Sequence, residues 1–137
     1  MSIRKNKQNE NRFTVTTAAL DLYDHTSVVI ANPKFESAKA LSDRIDYEAS
    51  MIYHYCRSAN EDYDNRKQDE AETRIKLQER ALEQCKWLKT DIRLIQRKLH
   101  LRASKCTFWT GMVNTAMDLI KAWNAAEKRN YKDNFGL

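Results

Sequence analysis

The chain has 137 residues, 42% of them hydrophobic and 31% charged, with only two glycines and one proline. An all-β protein of this length needs a turn about every 8–12 residues, and the chain lacks the turn chemistry to supply them. No apolar run approaches the ~18 residues of a membrane span, and the start MSIRKNKQNENR is polar and basic with no apolar segment behind it, so the expectation is one all-α domain in the cytoplasm.

The net charge of +5 is unevenly spread: residues 1–69 carry 10 Lys/Arg against 11 Asp/Glu, and residues 70–137 carry 14 against 8. That asymmetry points to a polyanion or an acidic partner surface. Cys56, Cys85 and Cys106 are odd in number, without close spacing, and each falls on or beside an apolar helical row, so they read as buried reduced thiols.

Residues 1–12 read as a disordered basic arm. A first helix then runs from Thr14 or Thr17 to Ala31, stopped at Asn32-Pro33, because a residue before proline is pushed out of the α region. Its inward row is Val15, Ala19, Leu22, Thr26 and Val29. Ser37 is the expected cap of a second helix reaching to about Tyr63, with Ala38, Leu41, Ile45, Ala49, Ile52, Tyr55, Ala59 and Tyr63 inward. The polar stretch from Asn60 to Asp69 supplies the next turn.

The third helix is the longest, from about Glu70 to Leu101, with a seam of Ala71, Ile75, Gln78, Ala81 or Leu82, Cys85, Leu88, Ile92, Ile95 and Leu99. At ~1.5 Å rise per residue it is too long to bury its stripe without partners of similar length. A fourth helix runs from Ser104 to about Arg129 on Trp109, Met112, Val113, Ala116, Leu119, Ile120 and Trp123. Gly111 inside it costs ~1 kcal/mol relative to Ala, which a close helix–helix approach would explain. Residues 131–137 read as a frayed tail. Four amphipathic helices with short links predict an antiparallel up-down-up-down four-helix bundle over residues 13–130.

Catalytic constellations are missing from the sequence. Gly111 and Gly136 are too far apart for a phosphate loop. His54 and Cys56 sit two apart and point about 200° from each other on a helix, so they cannot share one ion. No Glu-x-x-His pair suggests a di-iron core. The acid pairs Asp21/Asp24, Asp43/Asp46 and Glu61/Asp62 stand beside Lys and Arg and read as solvated surface charge. The sequence therefore points to a binding protein, with no enzyme activity, metal or cofactor expected.

The strongest functional signal lies between Lys86 and Lys105, where seven Lys/Arg face a single acid, Asp91. At about 100° per residue, Lys86, Lys89, Arg93, Arg97 and His100 fall within about 80° of arc, well away from the seam. Lys98 lies on another flank, and Arg102 and Lys105 carry the charge round the helix end. Ordinary solvated faces mix signs through i,i+4 pairs, as Glu72–Lys76 does earlier on this helix. The second half lacks that compensation, which predicts a surface that binds nucleic-acid phosphates rather than base sequence. Trp87 falls off the seam, marking either a protein interface or a seam wider than the row above.

Several segments, in order, resemble a known family: ALDLYDHT (Ala19–Thr26), Asn32 and Phe35, LSDRI (Leu41–Ile45), Ser58–Asn60 with Tyr63, RIKLQERALEQCKWL (Arg74–Leu88) and IKAW (Ile120–Trp123). They look like the accessory variability determinant (Avd) proteins of diversity-generating retroelements, which are similar to the four-helix bundle proteins encoded in 23S rRNA intervening sequences. The resemblance spans roughly residues 13–129 and rests on helical-packing patterns. It implies a ring-like homopentamer of four-helix protomers with a basic surface. Such a protein binds the element's reverse transcriptase and RNA or DNA, and supports mutagenic reverse transcription from a template repeat without a catalytic group of its own. The link after the first helix departs from the family's common Phe-Pro-Lys: here it reads Phe35-Glu36-Ser37, after Pro33-Lys34, and no family role is carried over to it. The alternatives are an intervening-sequence type of bundle, or a structural oligomer whose basic face meets an acidic protein.

Overall fold

In a computed structural model, secondary structure is described for residues 3–136 and side chains from residue 14 to 136. Residues 3–12, expected within a disordered basic arm, are helical and begin the first helix ahead of Thr14, while residues 1–2 and Leu137 lie outside the described set. Among the described residues there are four α-helices and no strand. They are α1 (Ile3–Ile30), α2 (Lys39–Glu61), α3 (Gln68–Leu99) and α4 (Ala103–Phe135), with a 3-10 segment, Pro33–Ala38, after α1. None of the helices described is long and apolar enough to cross a membrane.

The helices pack in a closed order: α1 against α2 and α4, and α3 against α2 and α4. All four contribute to one hydrophobic core. The inward row of α1 is buried at all five expected positions. On α2 the row shifts: Leu41, Tyr55 and Tyr63 are only half-buried, while Ser42, Glu48 and Cys56 are buried. On α3 Arg74 is buried where Ile75 was expected. Trp109 is the largest fully buried side chain. Its Nε1 donates to Thr26 Oγ1 at 3.0 Å, and Thr26 in turn donates to the Leu22 carbonyl at 2.8 Å.

Local chemistry sets the boundaries, with several corrections. Asn32 ends the first helical run in an extended conformation, and its side chain accepts from the Lys34 N–H at 2.9 Å, with Pro33 at the next position. Ser37 does not cap α2. It lies inside the 3-10 segment and donates to the Lys34 carbonyl, while α2 starts after Ala38 without a side-chain cap. Ser42 instead ties the two together, its hydroxyl lying 2.9 Å from the Ala38 carbonyl and 3.2 Å from that of Phe35. α3 stops at Leu99 because His100 turns left-handed at φ 54° and its N–H bonds to the Gln96 carbonyl.

Residues 131–135, read as a frayed tail, continue α4 to Phe135. Gly136 closes the helix at φ 71°, the left-handed cap that glycine adopts without strain. Tyr131 on that last stretch donates to Glu72 and accepts from Gln68, which ties the end of α4 to the start of α3. Gly111 is not a point of close helix approach: a Cβ built there meets nothing within 4 Å.

Candidate nucleic-acid interface

The second half of α3 holds the basic row on a rigid element. Lys86, Arg93, Arg97, Lys98, Arg102 and Lys105 are exposed and Lys89 is half-buried. Among the described residues none of the seven makes an ion pair. His100 is exposed as well, but as the left-handed cap it stands beyond the last helical residue and outside the wheel position expected for it.

The structure divides the set. Lys86, Arg93 and Arg97 are exposed along α3, with Lys89 half-buried among them. Burial pushes the Cys85 thiol up to about 12, opposed by the charges of Lys121 on α4 and of Lys89. Lys98 and Arg97 border α2 with Leu41, Arg44 and Leu94. Arg102 precedes α4, and Lys105 sits in its first turn. The His25 imidazole is held below its ordinary pKa by burial and then by the charge of Lys105.

Asp91 decides how much of this charge is uncompensated. It is buried and accepts from Arg44 Nε and Nη2 of α2, both at 2.8 Å. A bidentate arginine–carboxylate fork is among the stronger charge-assisted arrangements. The single acid of the segment is therefore neutralised from another helix and does not face the basic row.

Beside this pair lies Glu48, also buried, whose Oε1 has no hydrogen-bond partner. Burial, then hydrogen bonding to Asp91 and the charge of Asp91, push the Glu48 carboxyl up to about 8, against the pull of Arg44. Burial alone would raise Asp91 too, but hydrogen bonds from Arg44 and Glu48 and the charge of Arg44 bring it below the usual carboxylate range. Burial and the neighbouring carboxylate thus favour the protonated form of Glu48, while Arg44 favours the ionised form of Asp91.

No family model, no curated protein and no solved structure matches the chain.

Trp87, left open above between an interface and a wider seam, is 54% exposed, which excludes the wider seam. Three features escaped the sequence reading. The first is the groove of about 440 Å³ that Trp87 lines between α2 and α3 with Tyr47, Glu48, Gln84, Asp91 and Leu94. The acid pair brought together is Glu48/Asp91, from two helices, and none of the pairs read along the chain. A buried network joins Arg74 to Glu127, 2.6 Å apart, at the other end of α3. Its signal was available: Arg74 lies four residues before Gln78 and Glu127 seven after Ile120, so both fall in seam phase despite their charge. The three cysteines are buried and unbridged, and among the described residues no three His, Cys, Asp or Glu cluster as a metal site.

Proposed function

We propose that this protein is a non-catalytic accessory protein of a diversity-generating retroelement. In this reading it binds the element's reverse transcriptase together with RNA or cDNA and supports mutagenic reverse transcription. The observation that carries the nucleic-acid part is the row Lys86, Lys89, Arg93 and Arg97, free of ion pairs among the described residues, beside an Asp91 already held by Arg44. The reverse-transcriptase part and the ring-like homopentamer rest on the ordered resemblance of segments from Ala19 to Trp123. The up-down-up-down arrangement is supported by short links and by the packing of each helix on its neighbours in sequence. Val28 and Phe108, exposed on α1 and α4, supply apolar surface for contact between copies.

The test is a salt-dependent titration against structured RNA and duplex DNA, with the assembly mass measured on the same sample. If ~4 to 5 cations meet phosphates, log K falls with log salt at a slope of about −3 to −5. Replacing Lys89, Arg93 and Arg97 together by Glu abolishes binding and leaves helicity and mass unchanged. A monomer that binds no RNA at low salt would sink the reading, and the absence of a reverse transcriptase gene beside its own would remove its polymerase half.

A further inference from the structure

The groove between α2 and α3 bears on which form of nucleic acid the basic row receives. Tyr47 and Trp87 enter it from opposite helices, each more than half exposed, with Leu94 beside them. Side chains of this size left open to water mark a contact surface. Cations stand at both ends. Trp87 and Thr90 share a smaller hollow with Lys86 and Glu83, and Leu94 shares another with Arg97 and Lys98.

The groove also contains an unmet polar group. Glu48 is only 4% exposed, yet its Oε1 accepts no hydrogen bond. A buried acceptor without a donor carries an uncompensated desolvation penalty until a ligand supplies one. Asp91 cannot supply a donor, and the Arg44 guanidinium is turned to Asp91 through both Nε and Nη2. The missing partner is therefore an N–H or O–H donor on something flat and apolar enough to lie between two aromatic side chains, with negative charge on either side of it.

We propose that this groove receives an unpaired base of a single-stranded polynucleotide, stacked on Trp87 and Tyr47. Its exocyclic amine donates to Glu48 Oε1, and the flanking phosphates lie on Lys86 at one end and on Arg97 and Lys98 at the other. The inference rests on the nucleic-acid reading above and adds a preference for single strands with amine-bearing bases. Aromatic stacking platforms beside a basic track are the general means by which proteins hold single strands, and a duplex cannot present an unstacked base to such a groove.

The experiment is a titration of the full chain with oligocytidine, in ribose and deoxyribose forms, and with an abasic strand of equal phosphate count. Binding and tryptophan emission are both followed. Trp109 is buried and Trp123 half-buried, so quenching by a ligand reports chiefly on Trp87. Base-bearing strands are expected to bind roughly tenfold more tightly than the abasic strand and to quench the emission. Trp87→Ala is expected to bring oligocytidine down to the abasic level with an unchanged salt slope and circular dichroism. Replacing oligocytidine by oligouridine, which lacks the exocyclic amine, weakens binding in the wild type. A difference between the two sugar forms still supports the proposal and identifies RNA or DNA as the source.

Equal affinity for abasic and base-bearing strands overturns the groove proposal and leaves the phosphate-binding row intact. Retention of the preference in Trp87→Ala overturns it too. If no strand binds at low salt, the nucleic-acid reading falls and the groove proposal with it. Quenching by a glutamate-rich peptide but not by oligocytidine overturns the proposal and assigns the groove to an acidic protein partner.

Discussion

Among the described residues two arginine–carboxylate pairs join different helices, Arg74–Glu127 and Arg44–Asp91, and their surroundings set them apart. Arg74 and Glu127 are both buried, with side chains 2% and 4% exposed. Four of the five N–H donors of Arg74 are used: Nε and Nη2 bond to Glu127 Oε1, and Nη1 bonds to the carbonyls of Ala59 and Tyr63. Asn65 donates to Glu127 Oε2, and the guanidinium lies 5.7 Å from the Trp123 ring centroid. In the other pair Asp91 is buried but the Arg44 side chain is 56% exposed, and the adjoining Glu48 keeps an unbonded oxygen. The first pair is closed. It links the end of α2, the turn after it, α3 and α4. The second lines a groove and holds a proton that a ligand or a change of pH can move. A buried ion pair fastens a fold when its hydrogen bonds are complete, and becomes a responsive site when one is left open.

Removing one partner of each pair tests this difference most strongly. Arg74→Met leaves Glu127 buried without its counter-ion and two carbonyls without a donor. A loss of about 3–5 kcal/mol is expected in urea or thermal unfolding, with much of it recovered when Glu127→Leu is added. Arg44→Met, where the arginine side chain is more than half exposed, costs less. Equal losses at the two sites would erase the distinction between a closed and an open pair.

Glu48 gives the next largest effect, through pH. Its carboxyl is raised in the fold from an ordinary value of 4.5 to about 8. The folded state therefore binds the proton more tightly than the unfolded chain. That contribution is complete below about pH 4.5 and is lost as pH rises toward 8. The groups that act on it are Arg44 from its own helix and Asp91 from α3. Glu48→Gln keeps a neutral side chain at every pH, so its unfolding midpoint is expected to gain on the wild type from pH 6 to pH 9, on the order of 1–2 kcal/mol. A constant difference across that range would mean that Glu48 is already ionised in the fold.

The smallest effect sharpens the closed side. Among the described residues Asn65 supplies the one donor to Glu127 Oε2, at 3.2 Å. Asn65→Ala is expected to cost roughly 1 kcal/mol, read from the same unfolding curves. No loss there would show that water replaces the amide and that the closed network is wetter than its burial implies.

Much of the fold was legible because its signal is periodic. Val15, Ala19, Leu22, Thr26 and Val29 are buried as their spacing predicts, since steps of three and four residues place them on one face regardless of what packs there. The helix ends were less legible. Ser37 looked like a cap, but Pro33 and Asn32 set up a 3-10 turn that consumes its hydroxyl. Tyr131 looked unanchored because its partners, Gln68 and Glu72, come from another helix. The exposed basic row was also readable, because one helix carries Lys86 through Lys98.

The sequence by itself determined four amphipathic helices, their inward rows and an excess of positive charge along the second half of the third. Those follow from local backbone geometry and residue type. Only the tertiary structure decided where charge is spent. Arg44 lies 47 residues from Asp91, and Arg74 lies 53 from Glu127, so no local pattern reveals that the acid beside the basic row is neutralised from α2. The same packing opened Trp87, Tyr47 and Glu48 into one groove. Each sits unremarkably in its own helix, and their joint chemistry exists only because α2 and α3 lie side by side.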